Sequence, residues 1–180
     1  MLVAENRRSE LSNNAKAIQS VLFSGDTSSI TTLENLLKDT VQFNVIEQEM
    51  LERKYIPKEV RNFFDGNGTF LYRVSNVSYK GKVLSENLIF ADTSSLPNQI
   101  KRELEGGNTP IEELIEQMET RRNMLYQGYQ PSGHILELFD GCSVEANIYP
   151  TRKYQIVSNC KCLFYVCEVY HAENIYELLG

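Results

Sequence analysis

Thr151-Arg152-Lys153-Tyr154-Gln155-Ile156-Val157 and Cys162-Leu163-Phe164-Tyr165-Val166-Cys167-Glu168-Val169-Tyr170 decide the fold. Both runs are rich in β-branched and aromatic residues, and the short polar interval between them brings the second strand back beside the first. A turn at about Asn159-Cys160 sets residues whose numbers sum to roughly 319 or 320 opposite each other, which places Arg152 across from Glu168. Cys162, Phe164, Val166, Glu168 and Tyr170 share one face of the last strand, and the alternate residues Leu163, Tyr165, Cys167 and Val169 make the other face apolar too. Glu168 therefore has no easy route to water and needs a cation, hydrogen bonds or a proton.

Working back from this hairpin, Phe70, Tyr72 and Val74 alternate with Leu71, Arg73 and Ser75. Lys80-Gly81 supplies a turn, and Val83 to Phe90 returns as a second strand. Arg73 stands mid-strand with Val77 and Tyr79 further along its face. Val41, Phe43 and Val45 predict an earlier strand, and Ile135 to Phe139 and Cys142 to Ile148 predict two more. Helices are predicted for Asn6 to about Leu22, and from Ser28-Ser29 through Leu37 behind a capping serine. Another follows the stripe Leu96, Ile100 and Leu104 to Gly106-Gly107. A further one begins at Thr109-Pro110-Ile111-Glu112, where Thr is placed as N-cap and Pro as first helical residue. Its apolar stripe runs over Ile111, Leu114, Ile115, Met118 and Leu125, with Glu119-Thr120-Arg121-Arg122 at its end. The expected fold class is α+β: one antiparallel sheet, helices packed on one face, and flap segments over an internal ligand cavity.

At 180 residues the chain can bury one core but is short for two, so the expectation is one domain over 1–180, with an N-terminal helix in 1–24 and the core in 25–172. A net charge of −6 without clustered Lys or Arg argues against nucleic acid and anionic membrane as partners. No apolar stretch is long enough to span a bilayer, and the charged N-terminus does not resemble a signal peptide, so the cytosol is the expected compartment. Cys160 and Cys162 have the wrong spacing for a zinc knuckle, and His134 and His171 do not complement them. Cys142, Cys160, Cys162 and Cys167 are expected as buried thiols, with no metal and no cofactor.

Arg73, Arg152 and Glu168 support two readings. One is a structural ion pair beside a snorkelling arginine; the other is a cavity for a small dianion, because arginine binds carboxylates bidentately.

In order and spacing, Ser29-Ile30-Thr31, Phe70-Leu71-Tyr72-Arg73-Val74, Leu96-Pro97, Asn108-Thr109-Pro110-Ile111, Glu119-Thr120-Arg121-Arg122, Arg152-Lys153-Tyr154 and Val166-Cys167-Glu168 resemble the chorismate pyruvate-lyase family. The likeness runs from about Gly25 to Tyr170 and departs from the family pattern at Thr32, Glu86 and Cys160-Lys161-Cys162. It implies a cofactor-independent lyase that splits chorismate into 4-hydroxybenzoate and pyruvate, a monomer or homodimer, feeding quinone or other aromatic biosynthesis. Carried over by position, it implies that Arg73 holds the ring carboxylate with backbone N–H groups at Ile30 and Ile111. Arg152 and Arg121 would hold the pyruvyl carboxylate, and Glu168 would serve the ether oxygen. The effector-binding domains of one group of bacterial transcription regulators resemble the same fold, which makes a non-catalytic sensor for small carboxylates the alternative.

Overall fold

The computed structural model describes residues 16–23, 27–131, 133 and 148–180. The expected strands Ile135 to Phe139 and Cys142 to Ile148 and the start of the first helix lie outside these, apart from Ile148 itself. Residues 16–23 are helical (α1), followed by α2 (Ser29–Leu37), β1 (Gln42–Glu52), α3 (Lys58–Arg61), β2 (Thr69–Tyr79) and β3 (Lys82–Asp92). Then come α4 (Asn98–Glu105), α5 (Ile111–Ile115), β4 (Arg121–Pro131), β5 (Ile148–Ser158), β6 (Lys161–Tyr170) and α6 (Ala172–Leu179). The strands form one antiparallel sheet in the order β1-β2-β3-β6-β5-β4.

The β5-β6 turn falls at Asn159 and Cys160, both with positive φ, and opposes Arg152 to Glu168 as the turn position requires. Ser28 caps α2, its hydroxyl oxygen accepting from the Thr31 N–H at 3.1 Å.

Packing divides the molecule by sheet face. On one side Leu71, Ile89, Ala91, Phe164, Val166, Tyr154 and Ile156 pack against Ile100 and Leu104 of α4 and Ile111 and Leu114 of α5. On the other, Phe70, Tyr72, Val74, Leu88, Phe90, Tyr165 and Cys167 are covered by Ile56, Val60 and Phe64 from the segment 53–64. Both edge strands carry a bulge, at Val45/Glu47 in β1 and Met124/Tyr126 in β4. Such a bulge interrupts the row of edge groups through which a sheet recruits another chain.

Two local expectations are corrected. The helix that starts at Ile111 ends at Ile115, and Arg121 and Arg122 belong to β4. The helical repeat is dense only to Met118; beyond it, ten residues pair with β5, and this ladder outweighs the isolated match at Leu125. The cap of α5 is Pro110 in an extended conformation, not Thr109. The Thr109 carbonyl instead accepts a hydrogen bond from Arg73.

Candidate functional site

Register builds the site. Ser75 of β2 opposes Asn87 of β3, Asn87 opposes Glu168 of β6, Glu168 opposes Arg152 of β5, and Arg152 opposes Gln127 of β4. A polar row thus crosses a sheet whose neighbouring row, Arg73-Ile89-Val166-Tyr154-Met124, is mostly apolar. Arg152 and Glu168 are each 1% exposed, and Arg152 Nη2 donates to Glu168 Oε1 at 2.7 Å and Oε2 at 3.0 Å. The same Nη2 reaches the Thr27 carbonyl at 2.9 Å, which ties the chain entering α2 to the sheet. Burial pulls the Arg152 guanidinium down, but the charge of Glu168, aided by Tyr170 and Tyr154, more than reverses it, and the net shift is upward. Burial, with the Glu168 charge behind it, holds the phenols of Tyr154 and Tyr170 well above their usual range.

Arg73 lies apart from this pair, two strand spacings from Glu168, or about 10 Å. It is fully buried. Its Nε donates to Gln48 Oε1 at 2.7 Å, Nη1 to the Thr109 carbonyl at 2.7 Å and Nη2 to the Leu104 carbonyl at 2.8 Å. Every nitrogen of the guanidinium therefore has a protein partner, and Arg73 fastens the α4-α5 loop to the sheet. Burial lowers its pKa to about 10, opposed by the charge of Glu112.

Ile30 of α2 and Ile111 of α5 line a small inner cavity with Ser29, Phe43, Ser75, Asn87, Glu112 and Glu168. Its volume is about 10 Å³, room for one water-sized group. Ser75 Oγ and Asn87 Oδ1 are buried here without a hydrogen-bond partner. Leaving such atoms unpaired costs about 1–3 kcal/mol each unless something fills the space between them. Glu112 also lines an outer groove of about 290 Å³, with Thr27, Ser28, Thr31, Ile115, Glu116, Thr120 and Arg122. Burial pushes the Glu112 carboxyl up to about 7, with its own backbone N–H opposing, Glu168 adding, and Arg122 and Arg73 opposing.

Arg121 is exposed at the start of edge strand β4 and lines neither space. Its neighbour Arg122 faces inward, its guanidinium carbon 4.8 Å from the centre of the Tyr154 ring. Sequence reasoning passed over Glu112, Ser75 and Asn87. Glu112 reads as a helix-start residue, while the other two are neutral and share Arg73's parity without its charge. Counting back from the Lys80-Gly81 turn sets Ser75 opposite Glu86, and only the register shift between Val77 and Ser78 moves its partner to Asn87.

A larger groove of about 520 Å³ lies near the chain's end, lined by Tyr129, Tyr149, Tyr170, His171 and Tyr176 among others. None of the unpartnered buried atoms faces it. Among the described residues, no cluster of three or more His, Cys, Asp or Glu is placed to hold a metal ion. No helix there is long and apolar enough to cross a membrane.

This fold is similar to those of solved bacterial proteins that include a GntR-family transcriptional regulator. The effector domain of PhnF from Mycobacterium smegmatis superimposes with a TM-score of 0.52 at 10% identity, over 82% of this chain and 90% of that one. A longer PhnF structure gives 0.53 at 10% identity over 81% and 64%. A GntR-family transcriptional regulator from Bacillus cereus gives 0.51 at 8% identity over 74% and 92%. No family model matches the sequence, and no curated protein does.

The expectation of an enzyme is overturned by these likenesses. These structures are a GntR-family transcriptional regulator and PhnF with its effector domain, and none is described as a lyase.

Proposed function

We propose that this chain is a non-catalytic small-molecule-binding domain, with the ligand entering between the sheet and the helices α2 and α5. The observation that carries this reading is the pair of unpartnered, buried polar atoms, Ser75 Oγ and Asn87 Oδ1, facing a cavity beside an outer groove that shares Glu112 with it. A protein that needed only a stable core would fill such a space with apolar side chains. The shared fold with effector domains of transcriptional regulators supports the same reading.

A ligand that binds only the folded state raises the melting temperature by mass action. A thermal-shift screen with cationic, neutral and anionic small molecules is expected to give at least one saturable, concentration-dependent rise. Substituting Ser75 or Asn87 with an apolar residue is expected to weaken it. A screen without any saturable rise contradicts the proposal.

A further inference from the structure

We propose that the inner cavity receives a primary ammonium group, so that the ligand is an organic amine whose body lies in the outer groove. This rests on the reading of the cavity as a ligand site and names the chemistry that site selects.

Four features of the lining point the same way. The room is that of one water-sized group, which suits a head of one heavy atom and excludes a carboxylate or a ring. An ammonium presents three N–H donors and no acceptor. The polar atoms facing it include Asn87 Oδ1, Ser75 Oγ and the carboxylates of Glu112 and Glu168, all able to accept. The third feature is charge. Glu168 already has its counter-ion in Arg152, whereas Glu112 makes no ion pair within 4 Å among the described residues. One carboxylate therefore remains for a cation that must leave water to enter.

The arginines supply the fourth. Every nitrogen of Arg73 already donates to protein, and Arg152 holds Glu168 and Thr27. Arg122 lines the outer groove with its guanidinium over the Tyr154 ring, but among the described residues no arginine lines the inner cavity, where an anionic head would face Glu112 and Glu168. Glu112 belongs to both the cavity and the groove, so it meets the ammonium at the junction while the groove, with Ile115 and the aliphatic parts of Thr31 and Thr120, takes the body. The charged groups that act on Glu112 are Glu168 from β6, Arg122 from β4 and Arg73 from β2. Glu116, at the C-terminal cap of α5, shares the groove.

Benzylamine, benzyl alcohol and benzoate share one ring and differ in the head, so they test the head alone. Calorimetric titration and thermal shift of the full chain are expected to show saturable binding of benzylamine, with at least tenfold weaker binding of the alcohol and none of benzoate. Glu112→Gln is expected to weaken benzylamine at least tenfold, and Ser75→Ala by a smaller factor. Glu59→Gln, on the opposite sheet face, should leave it unchanged. Benzylamine should also bind more tightly at pH 8 than at pH 6, because Glu112 must be ionised to meet it. If benzoate binds and benzylamine does not, the ammonium proposal falls while the binding-domain reading stands. If benzylamine binds equally well to Glu112→Gln, the proposal also falls. If neither these probes nor the wider screen gives binding, both fall.

Discussion

The two faces of the sheet hold their charges in opposite ways. Beside α2 and α5, Arg152 and Glu168 are sealed from water at 1% exposure each, in a row that also contains the unpartnered Ser75 and Asn87. Beneath the segment 53–64, the ion pair is Lys153 with Glu59 at 2.8 Å, and Glu59 is half exposed. Tyr165 adds a weak hydrogen bond to that carboxylate at 3.4 Å, and further along the same face Glu86 meets His171 at 2.8 Å beside the aromatic and aliphatic core. A pair that reaches water adds little to stability and adjusts to change. A sealed pair depends on each partner, because removing one strands the other in a medium that cannot solvate it. One face is built as a core with a latch at its rim, the other as a fixed polar floor under a small space.

Breaking the sealed pair is expected to have the largest effect. Glu168→Ala should cost about 3–5 kcal/mol in denaturant unfolding, since Arg152 remains buried without its counter-ion. The double variant Arg152→Met with Glu168→Leu should recover most of that loss. If the single variant costs under about 1 kcal/mol, the two faces do not differ in the way described. Arg73→Met comes next, at about 2–3 kcal/mol, because it leaves Gln48 Oε1 and the Thr109 carbonyl without their donor and takes one of several donors from the Leu104 carbonyl. Protease susceptibility of the α4-α5 loop should rise with it.

Glu112 sharpens the contrast through pH. Its pKa lies near 7 in the folded chain against 4.5 for a free carboxyl, so between these values the folded state holds the extra proton. Stability therefore falls as pH rises from about 5 to 8 on account of this group, by about 2–3 kcal/mol, and Glu112→Gln should remove that part of the slope. A variant that follows the same pH curve as the parent would show that the carboxyl is not held in this way. Smallest is Glu59→Gln, expected to cost less than about 1 kcal/mol in the same unfolding experiment.

The legible part of the fold was the part fixed by local chemistry. The Asn159-Cys160 turn and strand parity were enough to oppose Arg152 to Glu168, and Ser28 signalled the start of α2. What stayed hidden depended on partners far along the chain. Arg121 and Arg122 sit in a strand because β5 lies alongside, and Thr109 gives its carbonyl to an arginine 36 residues away instead of capping a helix. The site was half legible for a related reason. Charges in apolar strands stand out, whereas Ser75 and Asn87 matter because their neighbours leave them unpaired, which no local pattern records. The lyase expectation rests on the order of short motifs, whereas the fold that carries them is similar to that of a solved GntR-family transcriptional regulator.

The claim that the polar face is the ligand face is tested most directly by hydrogen exchange with and without the compound that gives the largest thermal shift. Protection is expected at residues 29–32, around Ser75 and Asn87, and over residues 111–115, with segment 53–64 unchanged. Protection confined to segment 53–64 or to the tyrosine-lined groove at the chain's end would contradict it.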